Sequence, residues 1–198
     1  MEPRTAYHHG NLRAALVEAA VRAARAGGER EVRLTPIAGE VGVSPTAAYR
    51  HFPGGLDDLL GAVGDVGRAE LSQRIRRGTR AVRGTGDAAA DARRRFRASG
   101  RAYVEYVVDQ PGLFQVACRH EGVLPAADRP HTLLEGCLDD LVATGVLPGE
   151  RRAWASAAAW SAVHGLGLLL TEGALARLGP ADRRRAVDRT LDMVERGL

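Results

Sequence analysis

Two proline-marked helix starts in close succession, Thr35-Pro36 and Ser44-Pro45, constrain this chain more than any other feature. Thr35 is expected to cap a short helix with Pro36 at its first position, where a missing backbone N–H costs nothing. Ile37, Ala38 and Val41 set apolar groups on one face of it. Gly42 supplies the backbone freedom of a tight turn, and Val43 plugs the corner. Ser44-Pro45 then opens a second helix through Phe52. Residues 33–52 therefore read as a helix-turn-helix, whose second helix is suited to a DNA major groove. The leading turn, Pro45 to Ala48, is expected to approach base edges, with Thr46 offering a hydroxyl and Ala47 a surface for a thymine methyl, and Ser44 at its start is expected at the DNA as well. Arg50 is long enough for a guanine edge or the backbone. Thr35 stands where a helix N-terminus meets a phosphate.

The rest of the chain reads as helix. Asn11 caps a first helix over about 12–26, with Leu12, Leu16, Ala19, Ala20 and Ala23 on its inner stripe and Gly27-Gly28 as its stop. A long helix follows Pro53-Gly54-Gly55 and runs from Leu56 to about Arg83. Gly84-Thr85-Gly86 marks the expected domain boundary. Further helices are expected over 87–109, 113–118, 131–144, 150–172 and 181–197, with a proline-containing loop at 121–130. The fold class is all-α: a three-helix N-terminal domain with the helix-turn-helix (residues 10–70), then a helical ligand-binding and dimerisation domain (residues 85–198).

Charge follows the same division. Residues 1–83 hold 13 Arg against 9 acidic residues, and residues 84–198 hold 15 against 15, so the whole +4 excess lies with the helix-turn-helix. That is where phosphate binding needs it. The absence of Lys suggests a GC-rich coding sequence and a bacterial source. A polar N-terminus without the apolar core of a signal peptide gives cytoplasmic as the expected location. The uncharged run 153–171 is long enough to span a membrane, but its Ala, Ser and Gly content favours a buried helix or a subunit interface. Cys118 and Cys137 are too few for a disulfide framework and too far apart for a zinc pair, so free buried thiols are expected.

Tyr7-His8-His9-Gly10-Asn11-Leu12-Arg13, Leu34-Thr35-Pro36-Ile37-Ala38, Gly42-Val43-Ser44 and Tyr49-Arg50-His51-Phe52-Pro53 together resemble the N-terminal domain of TetR-family transcriptional repressors. Trp160, His164 and Gly165, followed by Leu166-Gly167-Leu168-Leu169-Leu170, resemble the Trp-His-Gly type of C-terminal domain in one branch of that family. The resemblance implies phosphate contacts from Tyr49 and His51, with Phe52 packed inside. Family members usually carry Lys at the start of the next helix. Here that position is Leu56, followed by Asp57 and Asp58, so a backbone contact is expected to be missing, and binding is expected either to be weaker or to depend more on an N-terminal arm with Arg4 and His8 or His9.

The second half reads as a sensor. Trp160 and His164 lie four apart on one helix face, with Gly167 and Thr171 continuing it. Tyr103, Tyr106, Phe114 and Cys118 are the other candidates to converge on an apolar ligand cavity. Val187, Leu191 and Val194, with Leu198, form a stripe on the last helix, expected to pack on its own domain and on a second subunit. No catalytic triad, phosphate loop or metal cluster is legible, so neither an enzyme nor a cofactor is expected. An enzyme built around His164 with Glu105 or Glu172 and an architectural DNA-binding protein are the alternatives. The expected partners are an operator duplex, a small apolar effector and a second copy of the chain.

Overall fold

Helix ends fall where proline, glycine and polar caps place them. The structure, a computed structural model, describes residues 12–198; Asn11, the motif residues Tyr7 to Gly10 and the arm residue Arg4 lie outside the described residues. Among the described residues the secondary structure is helical without strands. The helices are α1 (Leu12–Gly27), α2 (Leu34–Val41), α3 (Pro45–His51), α4 (Leu56–Arg80), α5 (Ala88–Asp109), α6 (Pro111–Arg119), α7 (Pro130–Ala143), α8 (Arg152–Thr171) and α9 (Pro180–Gly197). Short 3₁₀ turns precede α2, α7 and α8.

The chain divides into two compact units, residues 1–67 with 112–123, and residues 68–111 with 124–198. In the first, Leu16, Ala19 and Ala20 of α1 meet Leu34 and Ile37 of α2, Phe52, and Leu59 and Val63 of α4. Leu113 and Val116 of α6 complete that core. Gly112 lets α6 approach α1: a Cβ there would lie 2.2 Å from the Ala24 carbonyl oxygen. Arg13 places its guanidinium 5.1 Å from the centre of the Phe52 ring, a cation–π contact over the residue that closes α3.

In the second unit α5 is the central helix, touching α7, α8 and α9. Phe96, Ala102, Tyr103, Tyr106 and Val107 are buried along it. A core of Phe96, Cys137, Leu138, Leu141, Leu147, Ala155 and Ala159 joins α5, α7 and α8. The link at 84–86 is held by Asp91, whose carboxylate accepts the Thr85 N–H at 3.1 Å and its hydroxyl at 2.9 Å. Burial pushes the Asp91 carboxyl up, but the Thr85 bonds and Arg94 outweigh it and hold the group below the usual carboxylate value.

Gly149–Thr171 is long and apolar enough to cross a membrane by length and composition alone, at mean hydropathy 1.3. One face, with Ala155, Ala159, Val163, Leu166 and Leu170, is buried in the second unit, while only 33% of its apolar window is buried overall.

Candidate functional site

The turn between α2 and α3 is set by backbone geometry. Gly42 sits at φ 79°, in the left-handed region, and Val43 N–H reaches back to the Ala38 carbonyl at 2.9 Å. That double reversal ends α2 and turns the chain within two residues. Ser44 caps α3, its Oγ accepting the Ala47 N–H at 3.2 Å, with Pro45 in the first turn. The start of α2 departs from expectation. Arg33 occupies the cap position without a side-chain bond, and Thr35 lies inside the helix. Pro36 is tolerated there because first-turn N–H groups have no intrahelical acceptor.

The faces of α3 are segregated. Ala48 is buried and Ala47 half-buried, while Ser44, Pro45, Thr46, Tyr49, Arg50 and His51 are exposed. A tyrosine left 50% exposed beside a basic pair is an unusual use of an aromatic on a short helix, since its ring finds no core. Thr35 is exposed as well. Leu56, the first residue of α4, is 40% exposed, and Asp58 Oδ2 accepts the Gly54 N–H at 2.6 Å. Two carboxylates in this first turn offset the partial positive charge that a helix N-terminus would otherwise offer an anion.

In the second unit an aromatic cluster joins α5, α7 and α8. Tyr103 and Trp160 meet edge-on, with centroids 5.1 Å apart at 67°. His131 contacts the same indole at 5.5 Å and 61°, and His164 lies nearly parallel to it at 6.4 Å. The Tyr103 hydroxyl and His164 Nδ1 share a hydrogen bond of 2.9 Å. Burial lowers the His164 pKa from its ordinary 6.5, so the imidazole is kept neutral. Beside this cluster a cavity of about 20 Å³ is lined by Ile75, Ser99, Gly100, Tyr103, Pro130, Leu134, Trp160 and Val163. It has room for about one water.

Of the six residues expected at a ligand cavity, Tyr103, Trp160 and His164 come together, and Tyr103 and Trp160 line the space. Tyr106 is buried on α5 away from the lining. Phe114 and Cys118 belong to the first unit, because α6 packs with α1 there. Cys118 is also exposed rather than buried, whereas Cys137 is buried and its thiol pKa is raised by that burial. The stripe on α9 packs inward. Val187 and Leu191 are buried within their own unit, as expected of the side of the stripe that packs on its own domain, and Val194 packs on that core while remaining half-buried. The large exposed apolar groups of this unit are Trp154 (79%), Leu168 and Leu169 on α8 and Met193 (73%) on α9. Along α8 exposed Ala157, Ala158 and Ser161 continue from Trp154 at helical spacing.

Sequence reasoning did not find Ser99, Leu134 or His131. Ser99 and Tyr103 sit four apart on α5, a spacing that was available; the α7 residues were brought in only by packing. The fold also assembles a serine, a histidine and a carboxylate that lie apart in sequence. His131 Nε2 is 3.0 Å from Ser156 Oγ, and the same nitrogen is 3.3 Å from Glu135 Oε1. A proton relay needs the carboxylate on the other ring nitrogen, so this arrangement does not activate Ser156. A hydrogen bond from Ser156 and the Arg152 partnership instead hold Glu135 below the usual carboxylate range.

A solved structure of a protein of unknown function from Rhodococcus sp. RHA1 is similar over 98% of this chain and 99% of that one, at TM-score 0.78 and 24% identity, which speaks to the fold alone. No curated protein matches the chain. Residues 96–194 match the family model for a tetracycline repressor-like C-terminal domain. That match spans the helices carrying the aromatic cluster, and through it the chain belongs to the tetracycline repressor-like (TetR) family of transcriptional regulators.

Proposed function

We propose that the protein is a homodimeric repressor that binds an inverted-repeat operator through α3 and releases it when a small molecule binds among α4, α5, α7 and α8. The observation that carries this reading is the exposed polar face of α3, set on a Ser44-capped helix and anchored by buried Ala48 and Phe52. Thr46 and Ala47 face base edges, Tyr49 and His51 hold phosphates, and Arg50 reaches a guanine or the backbone. Ser44, Pro45 and Thr35 bring helix N-termini to the duplex. Leu56 and the carboxylates after it give no backbone contact, and the arm before α1 supplies it.

The second copy docks on the exposed face of α8 and on α9, where Met193 is exposed and Val194 of the apolar stripe half-buried, because exposed apolar surface of this kind marks an interaction site. Effector binding favours a dimer geometry in which the two recognition helices no longer match successive grooves. The Trp-His-Gly subtype rests on Trp160, His164 and Gly165, two of which belong to the aromatic cluster. The site of action is cytoplasmic DNA.

The deciding experiment is a gel shift of an inverted repeat from the gene's own upstream region, across a salt series. Specific retention with log K falling linearly against log salt is expected. Equal binding to unrelated DNA would assign an architectural role instead.

A further inference from the structure

Resting on the reading of the second unit as the effector site, we infer that this site takes a neutral, flat aromatic molecule carrying one N–H or O–H donor, which seats against Tyr103 and Trp160 and donates to Ser99.

Three observations select that chemistry. The first is the wall. Ile75, Pro130, Leu134 and Val163 are aliphatic, Gly100 adds no side chain, and Tyr103 and Trp160 present rings at a steep angle to each other. A ring entering there meets one edge and one face, the two arrangements aromatic quadrupoles favour.

The second is the polar group. Ser99 is 5% exposed and is the lining residue with an aliphatic hydroxyl. Its proton is committed, since Oγ donates to the Phe96 carbonyl at 2.7 Å. The Cys137 thiol shares a hydrogen bond with the same hydroxyl and takes one lone pair, so what Oγ still offers the cavity is its second lone pair, and the complement of a lone pair is a donor.

The third is charge. Each arginine next in sequence to a lining residue is engaged by the protein. Arg74 pairs with Glu105 and Asp109, Arg76 with Asp128, Arg101 with Asp188, and Arg129 donates to the Leu124 carbonyl. The neighbouring imidazole of His164 is neutral. An anion would lose its hydration and gain no cation in return. The cavity of about 20 Å³ also defines what must move. Trp160 is half-buried and the His131 over it is exposed, so the indole is the wall that yields to a ligand.

Isothermal titration calorimetry of the intact protein with indole, 1-methylindole, indole-3-carboxylate and 1-octanol tests each element. Indole should bind saturably, 1-methylindole about tenfold more weakly for want of one hydrogen bond, and the carboxylate and octanol without measurable heat. Ser99→Ala, checked for folding by thermal unfolding, should bring indole down to the level of 1-methylindole. Unchanged indole affinity in Ser99→Ala would overturn the donor contact. Octanol or the carboxylate binding as tightly as indole would overturn the aromatic, neutral chemistry while leaving a ligand site in place. Silence of all four probes alongside an intact operator shift would overturn this inference without touching the DNA reading; loss of the operator shift alone would do the reverse.

Discussion

Single side chains divide here by what they find to touch. Tyr49 and Thr46 share one short helix and are both exposed, yet the proposed roles differ: one positions, the other specifies. Tyr49→Ala should weaken binding to every duplex alike. Thr46→Ala should alter base preference at one position per half-site, by roughly 1–3 kcal/mol. A panel of operator variants measured with both proteins separates the two patterns, and identical profiles would show the roles to be misassigned. His164 makes a prediction about pH. Burial depresses its folded pKa below 6.5, so below 6.5 the unfolded chain takes up a proton that the folded one refuses. Stability should be full above that value and fall as pH drops through the lowered folded pKa. His164→Gln should flatten this part of the acid limb in thermal unfolding followed by circular dichroism; an unaltered slope would count against a buried neutral imidazole.

Helices in this chain are tuned by where their small residues lie. Gly61 of α4 and Gly136 of α7 are both mid-helix, where Ala is intrinsically better by up to about 1 kcal/mol. A Cβ at Gly136 meets nothing within 4 Å, whereas one at Gly61 would lie 2.8 Å from the Glu121 carbonyl oxygen, a backbone atom that cannot swing aside. Gly136→Ala should therefore stabilise the protein and Gly61→Ala should destabilise it, despite the same gain in propensity. Denaturant melts of the two variants check the sign. The sequence marked the ends of α1, α3 and α5 through α9 closely, because caps, glycines and prolines act locally. The start of α2 lies two residues before the one that Thr35-Pro36 signals, because that pair satisfies the same local rule too late and backbone bonding to the Arg33 carbonyl decides the boundary.

At the scale of the whole molecule the question is which surfaces remain for a second copy. Trp154→Glu places a charge in the exposed apolar face of α8, where the lone chain has nothing to lose from it. Light scattering after size exclusion should then report a mass near 21.1 kDa, against twice that for the unsubstituted protein. Operator affinity should fall with it, because a single recognition helix binds only half of a two-fold site. A dimer of unchanged stability would move the interface off α8.

Periodicity, caps and turn residues determined the all-helical class, the two short helices α2 and α3 with the turn between them, and the exposed face of α3, because each depends on neighbours within about one turn. The pairing of Tyr103 with Trp160 and His164 was legible too, since Trp160 and His164 share a face at i, i+4 and α5 carries one aromatic stripe. Only tertiary structure decided the rest. It placed α6, with Phe114 and Cys118, in the first unit, through a close backbone approach at Gly112 that composition does not encode. It also buried Val187 and Leu191 inside their own unit and left the outer face of α8 bare. An apolar stripe states that a helix must be covered; which surface covers it is settled by packing shape among elements far apart in sequence.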